Sequence, residues 1–568
     1  MTTAVEQTYR RWLERVEEAD RAQLERLADD EQALADAFYR ELAFGTAGLR
    51  GRLGLGPNLM NVYTVGKATQ GLANYLNANF DDPSVALCRD SRHGGEAFVR
   101  RVAEVLAGNG IRSFAYERVE PTPALSFATR DLGCSAGINV TASHNPAAYN
   151  GYKVYGPDGC QITSEAAEAI QAAIDAVDAF DDVRFMPYDQ AVAEGLAQTT
   201  GEDVLERFCE AVLSQSTGQD CGALKLVYTP LNGTGLECVT RLLERIGVTD
   251  VHVVPEQAQP DGDFATCPYP NPEIREALEL GLRLCDEVRP DLLVATDPDA
   301  DRVGIAVPHG GDYVLLSGNE VGMLLTDFRA RRAREAGEDL SRKMVCTTVV
   351  SAPMIDDMAA DQGFELRRTL TGFKYIGEQI ALLEADGRTD DFLFGFEESY
   401  GYLAGTHARD KDAVVAAMLI CELAAYWKER GADLYEAMEG LYEAYGFWGS
   451  RLVSVAYEGA AGARRMGEIM SALRERTPEQ IGGLAVVQTF DYAEGLPMQV
   501  VNAPEGAPGQ TLPATNLFEF RLEGGSRVLV RPSGTEPKIK AYVFAKAETC
   551  ASCDELAERL QAAARTLL

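Results

Sequence analysis

Gly137-Ile-Asn-Val-Thr-Ala-Ser-His-Asn-Pro146 is a short apolar run that stops abruptly on a serine, a histidine and an Asn-Pro turn signal. It reads as a strand that delivers Ser143 to the end of a sheet. A serine is a weak nucleophile until a neighbour takes its proton or lowers the charge it must approach, so other parts of the chain have to supply that help. The bland alternative is a polar turn between two strands, capped by His144.

Outward from this stretch, strands (Val85–Arg89, Ile111–Tyr116, Gly137–Thr141) alternate with helical stretches (Lys67–Phe80, Gly95–Ala107), an α/β layer pattern that a helix over Ser164–Phe180 completes. Before it, Trp12, Leu13, Val16, Leu24, Leu27, Leu34 and Phe38 recur at helical spacing and predict one or two amphipathic helices. A second unit opens at Leu224–Tyr228 and runs through strand Val251–Val254, a helix over Pro272–Val288 and strand Asp291–Thr296. A third repeats the plan with strands Val345–Val349, Phe364–Arg368 and Phe392–Phe396, a helix from Lys374 and an apolar helix near 413–429. From about 448 the order changes to strands Leu484–Phe490, Asn516–Leu522, Arg527–Arg531 and Ile539–Phe544, then a closing helix over Cys553–Leu567. The fold class expected is α/β: three related mixed-sheet domains (1–215, 216–315, 316–447) and a C-terminal α+β domain (448–568). Each α/β unit sends one loop from the end of a comparable strand, after Thr141, Thr296 and Phe394. Ligands of open α/β sheets lie beyond the carboxyl ends of the strands, so these loops are expected to share a central active-site cleft.

At 568 residues the chain has material for about four domains. Its start is polar and lacks the apolar core of a secretory signal, and Ala413–Trp427, the longest apolar stretch, is interrupted by Glu422 and reads as a buried helix. The 12 cysteines show no pairing rhythm, which suits reduced thiols in the cytoplasm. A net charge of −34 argues against nucleic acid and anionic membranes as partners. The sequence leaves the choice of monomer or dimer open.

Asp291-Leu-Leu-Val-Ala-Thr-Asp297-Pro-Asp299-Ala-Asp301-Arg302 sets three carboxylates at alternate positions directly after a strand, hard oxygen ligands that suit Mg²⁺. An EF-hand would need Gly at its sixth position and a carboxylate at its twelfth, where Arg302 and Pro308 stand. A phosphatase loop in which Asp297 itself attacks phosphorus stays open. Phe44-Gly-Thr-Ala-Gly-Leu-Arg50-Gly51 combines a freely bending backbone with a planar charged fork. Phe394-Gly-Phe-Glu397-Glu398-Ser399 offers carboxylate and hydroxyl acceptors, flanked by Thr371-Gly-Phe-Lys374 and His407-Ala-Arg409-Asp-Lys411. Val528-Leu-Val-Arg531-Pro-Ser533-Gly534-Thr535-Glu-Pro-Lys538 could meet a phosphate with a guanidinium, two hydroxyls and backbone N–H groups. No Walker A spacing occurs.

Thr-Ala-Ser143-His-Asn-Pro followed by Asn150-Gly-Tyr-Lys-Val-Tyr155, the three-aspartate loop, the Glu397 loop and the Arg531 loop together resemble the α-D-phosphohexomutases, in family order from Phe44 to Lys540. The resemblance is closest to the phosphoglucomutase branch, although Asn232 stands where those members carry histidine in Thr-Pro-Leu-His-Gly-Thr-Gly. It implies a sugar 1-phosphate/6-phosphate mutase that works through phosphorylated Ser143 and a sugar 1,6-bisphosphate, with Mg²⁺ held by Ser143, Asp297, Asp299 and Asp301. It further implies Arg50 and Arg302 beside the transferring group and Lys411 or His144 as general acid/base. Glu397, Ser399, Lys374 and Arg409 would face the sugar phosphate, and Arg531, Ser533, Gly534 and Thr535 the distal phosphate. Glucose phosphate is the first expectation. Mannose or pentose phosphate, the Asp297 phosphatase and a non-catalytic sugar-phosphate binder are the alternatives.

Overall fold

A computed structural model describes residues 3–45, 48–457, 459–504, 506, 509–533 and 538–568. The chain forms two compact units, one of residues 1–306 and 405–422, the other of residues 307–404 and 423–568.

The first unit begins with three helices, Thr3–Arg15, Glu18–Leu27 and Glu31–Phe38, where the periodicity had called for one or two. Asp30 makes the last break, its side chain accepting from Ala33 N at 3.0 Å as a helix cap. Their apolar faces meet in a cluster of Val5, Trp12, Val16, Leu24, Leu34, Phe38 and Leu55. The first sheet holds β1 Gly48–Arg52, β2 Ser84–Arg89, β3 Arg112–Tyr116, β4 Ala136–Val140, β5 Tyr149–Tyr155 and β6 Ala197–Thr200, in the order β1-β5-β4-β2-β3-β6. Every residue of β4 is buried, as expected for a strand covered on both faces. Helix Val62–Asn79 is started by a capping box between Asn61 and Thr64. It packs on helix Ser164–Asp175 through Gly71, where a Cβ would sit 2.4 Å from Ile174 Cγ1. That second helix stops before the expected Phe180 because Asp178 Oδ1 accepts from Phe180 N at 3.0 Å and turns the ring toward Trp12.

The second sheet orders β10 Val303–His309, β9 Leu292–Thr296, β7 Lys225–Thr229 and β8 Asp250–Val253 side by side. The helix expected over 272–288 begins only at Glu279, after a short 3₁₀ turn at Arg275–Leu278. Pro270 and Pro272 remove backbone donors from that stretch. Residues 405–422 bring the start of the apolar helix Ala413–Glu429, capped by Asp412, which accepts from Val414 N at 2.7 Å and Val415 N at 3.0 Å. Glu422, the charge inside that helix, is fully buried and accepts from Thr217 N and Oγ1, each at 2.9 Å. No helix among the described residues is long and apolar enough to cross a membrane.

In the second unit β11 Asp312–Leu316 precedes helix Gly318–Glu335. The third sheet holds β12 Met344–Thr348, β13 Glu365–Thr369, β14 Phe392–Glu397 and β15 Gly401–Leu403 in the order β15-β14-β12-β13. Its far edge is β20 Gln499–Val501, pairing antiparallel with β13. The last sheet is antiparallel, β16-β24-β23-β22-β18-β17, from β16 Phe447–Ala456, β17 Gln480–Ile481, β18 Leu484–Asp491, β22 Phe518–Leu522, β23 Arg527–Pro532 and β24 Lys538–Ala547, backed by helix Cys550–Leu567. β19 Leu496–Pro497 and β21 Thr511–Leu512 pair with each other.

The three α/β sheets share one core order. β4, β9 and β14 each lie between a parallel neighbour and an antiparallel one, β2 and β5, β7 and β10, β12 and β15 respectively. The chain that leaves the carboxyl end of each of these three strands carries Ser143, Asp297 to Asp301, or Glu398 and Ser399, with Glu397 closing β14.

Candidate active site

Ser143 follows β4 with a backbone φ of 52°, a left-handed conformation that non-glycine residues rarely adopt. Its Oγ donates to Asp297 Oδ2 at 2.9 Å and lies 3.2 Å from His144 Nδ1. The His144 imidazole is half-buried beside Arg302 and Arg50, and desolvation first, then those two cations, hold its pKa below the ordinary histidine value.

Asp297 is gripped by its own loop, since Asp301 N and Arg302 N both donate to its Oδ1 at 3.0 Å. Asp297 and Asp299 are fully buried and Asp301 is 2 % exposed. One carboxylate oxygen from each lies within 4.8 Å of the others. Burial and the two neighbouring carboxylates push the Asp297 pKa well up, while Lys153 and the Thr122 hydroxyl hold Asp299 below the usual range despite its burial. Asp299 Oδ1 and Asp301 Oδ1 are buried with no hydrogen-bond partner among the described residues. Three hard oxygen donors on one buried loop, two of them with an oxygen that accepts no hydrogen bond among the described residues, fit a divalent cation of the Mg²⁺ kind.

Lys153 Nζ stands 2.9 Å from Asp299 Oδ2 and 3.5 Å from Asp301 Oδ2. Burial lowers its pKa, but Asp299 and Asp301 outweigh that and hold it above the ordinary lysine value. Lys411 Nζ reaches Asp301 Oδ2 at 3.2 Å and Asp410 Oδ1 at 2.9 Å. Arg302 Nη1 pairs with Glu273 Oε1 at 2.5 Å. Arg50 lies on β1, paired with Gly151, and acts electrostatically on His144. Arg409 is 1 % exposed and donates its N–H to Ser126 Oγ at 2.9 Å. Within this unit the structure thus gathers Ser143, His144, the three aspartates, Arg50, Arg302 and Lys411. The sequence reading missed Lys153 and Thr122, whose hydroxyl donates to Asp299 Oδ2 at 2.8 Å. Lys153 sits inside the quoted Asn-Gly-Tyr-Lys segment, so a signal was present. Thr122 had none beyond a Pro-Thr-Pro turn. Asn232 is occupied structurally, its Nδ2 donating to Glu256 O at 3.2 Å and Gln259 O at 2.9 Å. Next to it Gly233 lets the aspartate loop pass, because a Cβ there would lie 2.4 Å from Pro298 Cα.

In the second unit, Glu397 Oε1 accepts from Gly372 N at 2.7 Å, which ties the Thr371–Lys374 segment to the Glu397–Ser399 loop. Lys374, at the start of helix Phe373–Ala385, holds its ammonium 5.1 Å from the Tyr375 ring centre. Thr348 Oγ1 donates to Glu398 Oε2 at 3.2 Å. The Glu398 carboxyl is pushed up to about 7 by burial and by Glu397, with Arg531 and Lys540 pulling the other way. Arg531 is the penultimate residue of β23, opposite Lys540, and its Nε is buried without a hydrogen-bond partner among the described residues. Ser533 N donates to Lys538 O at 2.7 Å, while Gly534 and Thr535 lie outside the described residues.

The family models for phosphoglucomutase/phosphomannomutase match this chain in sequence: alpha/beta/alpha domain I over residues 41–180, domain II over 206–310, domain III over 317–445 and the C-terminal domain over 484–563. A phosphoglucomutase of Staphylococcus saprophyticus is 35 % identical over 554 residues, 97 % of this chain and 98 % of that one. The chain belongs to the phosphoglucomutase/phosphomannomutase family. It is a phosphohexomutase, an isomerase that transfers a phosphoryl group within a sugar phosphate. Two solved structures share the family fold at low identity. The putative phosphomannomutase of Thermus thermophilus superposes with a TM-score of 0.68 at 23 % identity, over 93 % of this chain and 99 % of that one. The parafusin phosphoglucomutase of Paramecium gives 0.68 at 17 %, over 93 % and 96 %.

Proposed function

We propose that the protein interconverts glucose 1-phosphate and glucose 6-phosphate, with phosphorylated Ser143 as the phosphoryl carrier and glucose 1,6-bisphosphate as intermediate and activator. The observation that carries this reading is the 2.9 Å contact of Ser143 Oγ with the buried aspartate cluster. Asp297, Asp299 and Asp301, with an oxygen of the modified serine, would hold Mg²⁺. When bound, the ion neutralises charge on the phosphoryl group in flight. Asp297 already accepts three hydrogen bonds, from Ser143 Oγ and two backbone N–H groups, which suits a holding role better than that of a nucleophile.

Arg50 and Arg302 supply fixed positive charge beside the serine. Lys411 and His144, whose Nδ1 lies 3.2 Å from Ser143 Oγ, are the two candidates for the general acid/base. Lys153 stands at the same carboxylates as Lys411. Glu397, Ser399, Lys374 and Arg409 are assigned to the sugar phosphate, and Arg531, Ser533, Gly534 and Thr535 to the distal phosphate. Arg531 Nε, buried and without a hydrogen-bond partner among the described residues, supports the last assignment. We place the enzyme in the cytoplasm and retain the four-domain division at 215, 315 and 447.

The test is turnover of glucose, mannose and pentose 1-phosphates by the wild type and by Ser143→Ala. The expected result is kcat/KM highest for glucose 1-phosphate and lost in the variant. A mannose or pentose preference would move the substrate, and full activity of Ser143→Ala would remove the serine.

A further inference from the structure

Ser143 does not hold its left-handed backbone unaided. Its N–H donates to Thr141 Oγ1 at 2.8 Å, and Thr141 Oγ1 in turn donates to Asp90 Oδ2 at 2.6 Å. Asp90 Oδ2 also accepts from Arg92 Nε at 3.1 Å, between two side chains with no exposure at all. From there the guanidinium fans out over the loop. Arg92 Nη2 donates to the carbonyls of Ser143 and Asn145, and Nη1 donates to those of Pro146 at 2.9 Å and Tyr149 at 3.0 Å. The far face of the guanidinium packs on the Phe264 ring at 5.0 Å. One arginine therefore takes up four carbonyls of the serine loop, and the same relay grips Ser143 at both its N–H and its C=O.

We infer that Arg92 is a positioning residue for the phosphoryl transfer. It holds Ser143 in the left-handed conformation that aims Oγ at the aspartate cluster, acting through the loop backbone without touching the reacting atoms. A planar fork with donors in fixed directions is needed to serve diverging carbonyls together, and an ammonium of the same charge cannot span them. Buried guanidinium groups also brace folds without bearing on chemistry, so the test must separate the two roles. Misplacing a nucleophile by a fraction of an ångström costs rate while leaving substrate binding nearly unchanged. A bracing role lowers stability and the amount of folded enzyme, and leaves the rate of each folded molecule alone.

The inference rests on Ser143 being the carrier, so the experiment first labels the wild-type full chain with glucose 1,6-bisphosphate and locates the phosphoryl group. Arg92→Lys and Thr141→Val are then compared with it by steady-state kinetics, by single-turnover transfer from the labelled enzyme, and by thermal unfolding. For Arg92→Lys the expected result is a fall in kcat and in the single-turnover rate of about a hundredfold, with KM within about threefold. Thr141→Val, which cuts the same relay at its other end, should lose about tenfold with the same split. The double variant should lose less than the product of the two, because both changes release one element. Folded variants that transfer at the wild-type rate, or whose loss equals their unfolded fraction, overturn the inference. Should Arg92→Lys fail to fold, Thr141→Val decides alone. A wild type without label at Ser143 overturns the underlying reading instead.

Discussion

Burial raises the pKa of several carboxyls of this chain, and Glu120 shows it outside the aspartate loop. It is 3 % exposed, and burial pushes its pKa up to about 8, against the pull of Arg118 and with support from Glu237 and Glu202. A carboxyl raised on folding contributes stability below its unfolded pKa and loses it as pH climbs through the folded one. Stability should therefore fall between about pH 4.5 and pH 8, and Glu120→Gln should flatten that fall and gain on the order of 2 kcal/mol at pH 8.5 in thermal unfolding. An unchanged pH slope would show that the carboxyl is already ionised in the fold. Arg531 gives a second prediction at this scale. Arg531→Gln should raise KM for the sugar phosphate roughly ten- to hundredfold with a smaller change in kcat, the cost of one charged contact to phosphate. An Arg→Gln change at Arg283, exposed and outside every motif, is the control. Among candidate site residues, the three aspartates stood out by their alternate spacing after a strand, and Ser143 by the resemblance of Thr-Ala-Ser-His-Asn-Pro to the family's serine loop. Lys153 lay within the quoted Asn150–Tyr155 segment, but its role shows only in its 2.9 Å contact with Asp299.

Elements were readable where a period ran uninterrupted and unreadable where distant partners set the conformation. The strands through Leu87, Ile138, Leu226 and Val294 are largely apolar and buried at nearly every position, and their positions follow from composition. β16 did not stand out, because burial along Phe447–Ala456 does not alternate cleanly on the sheet edge it occupies. β20 is three residues long and exists only because β13 offers an open edge, so no local signal could announce it. At Pro272 the helical period was misleading, since Glu273 is drawn to Arg302 and the chain is held out of helix until Glu279. Close packing of elements gives the prediction at this scale. Gly71→Ala would place a methyl 2.4 Å from Ile174 Cγ1 and 2.7 Å from its backbone N, forcing two helices apart. Stability should drop by about 1–3 kcal/mol in denaturant unfolding, with kcat unchanged. A neutral result would mean that the helices slide at no cost.

Across the whole molecule, 87 acidic against 53 basic side chains would repel a phosphate ester, so the cations that matter have to be concentrated. Arg50, Lys153, Arg302 and Lys411 in one unit and Arg531 and Lys540 in the other show that concentration. Sequence patterning anticipated this, along with the α/β class and the three repeated sheets. The number of N-terminal helices and the adoption of β20 by the third sheet came only with the fold. The buried aspartates yield a prediction for the intact enzyme: excess chelator should abolish turnover and Mg²⁺ should restore it. Full activity with an empty site by metal analysis would remove the metal. The central claim, that Ser143 carries the phosphoryl group, is tested most directly by incubating the intact chain with glucose 1,6-bisphosphate and mapping the label by peptide mass spectrometry. The account predicts one phosphoryl group per chain on the peptide containing Ser143, stable to hydroxylamine as a phosphoserine is. A hydroxylamine-labile group on Asp297, or no label on an enzyme that turns over, would contradict it.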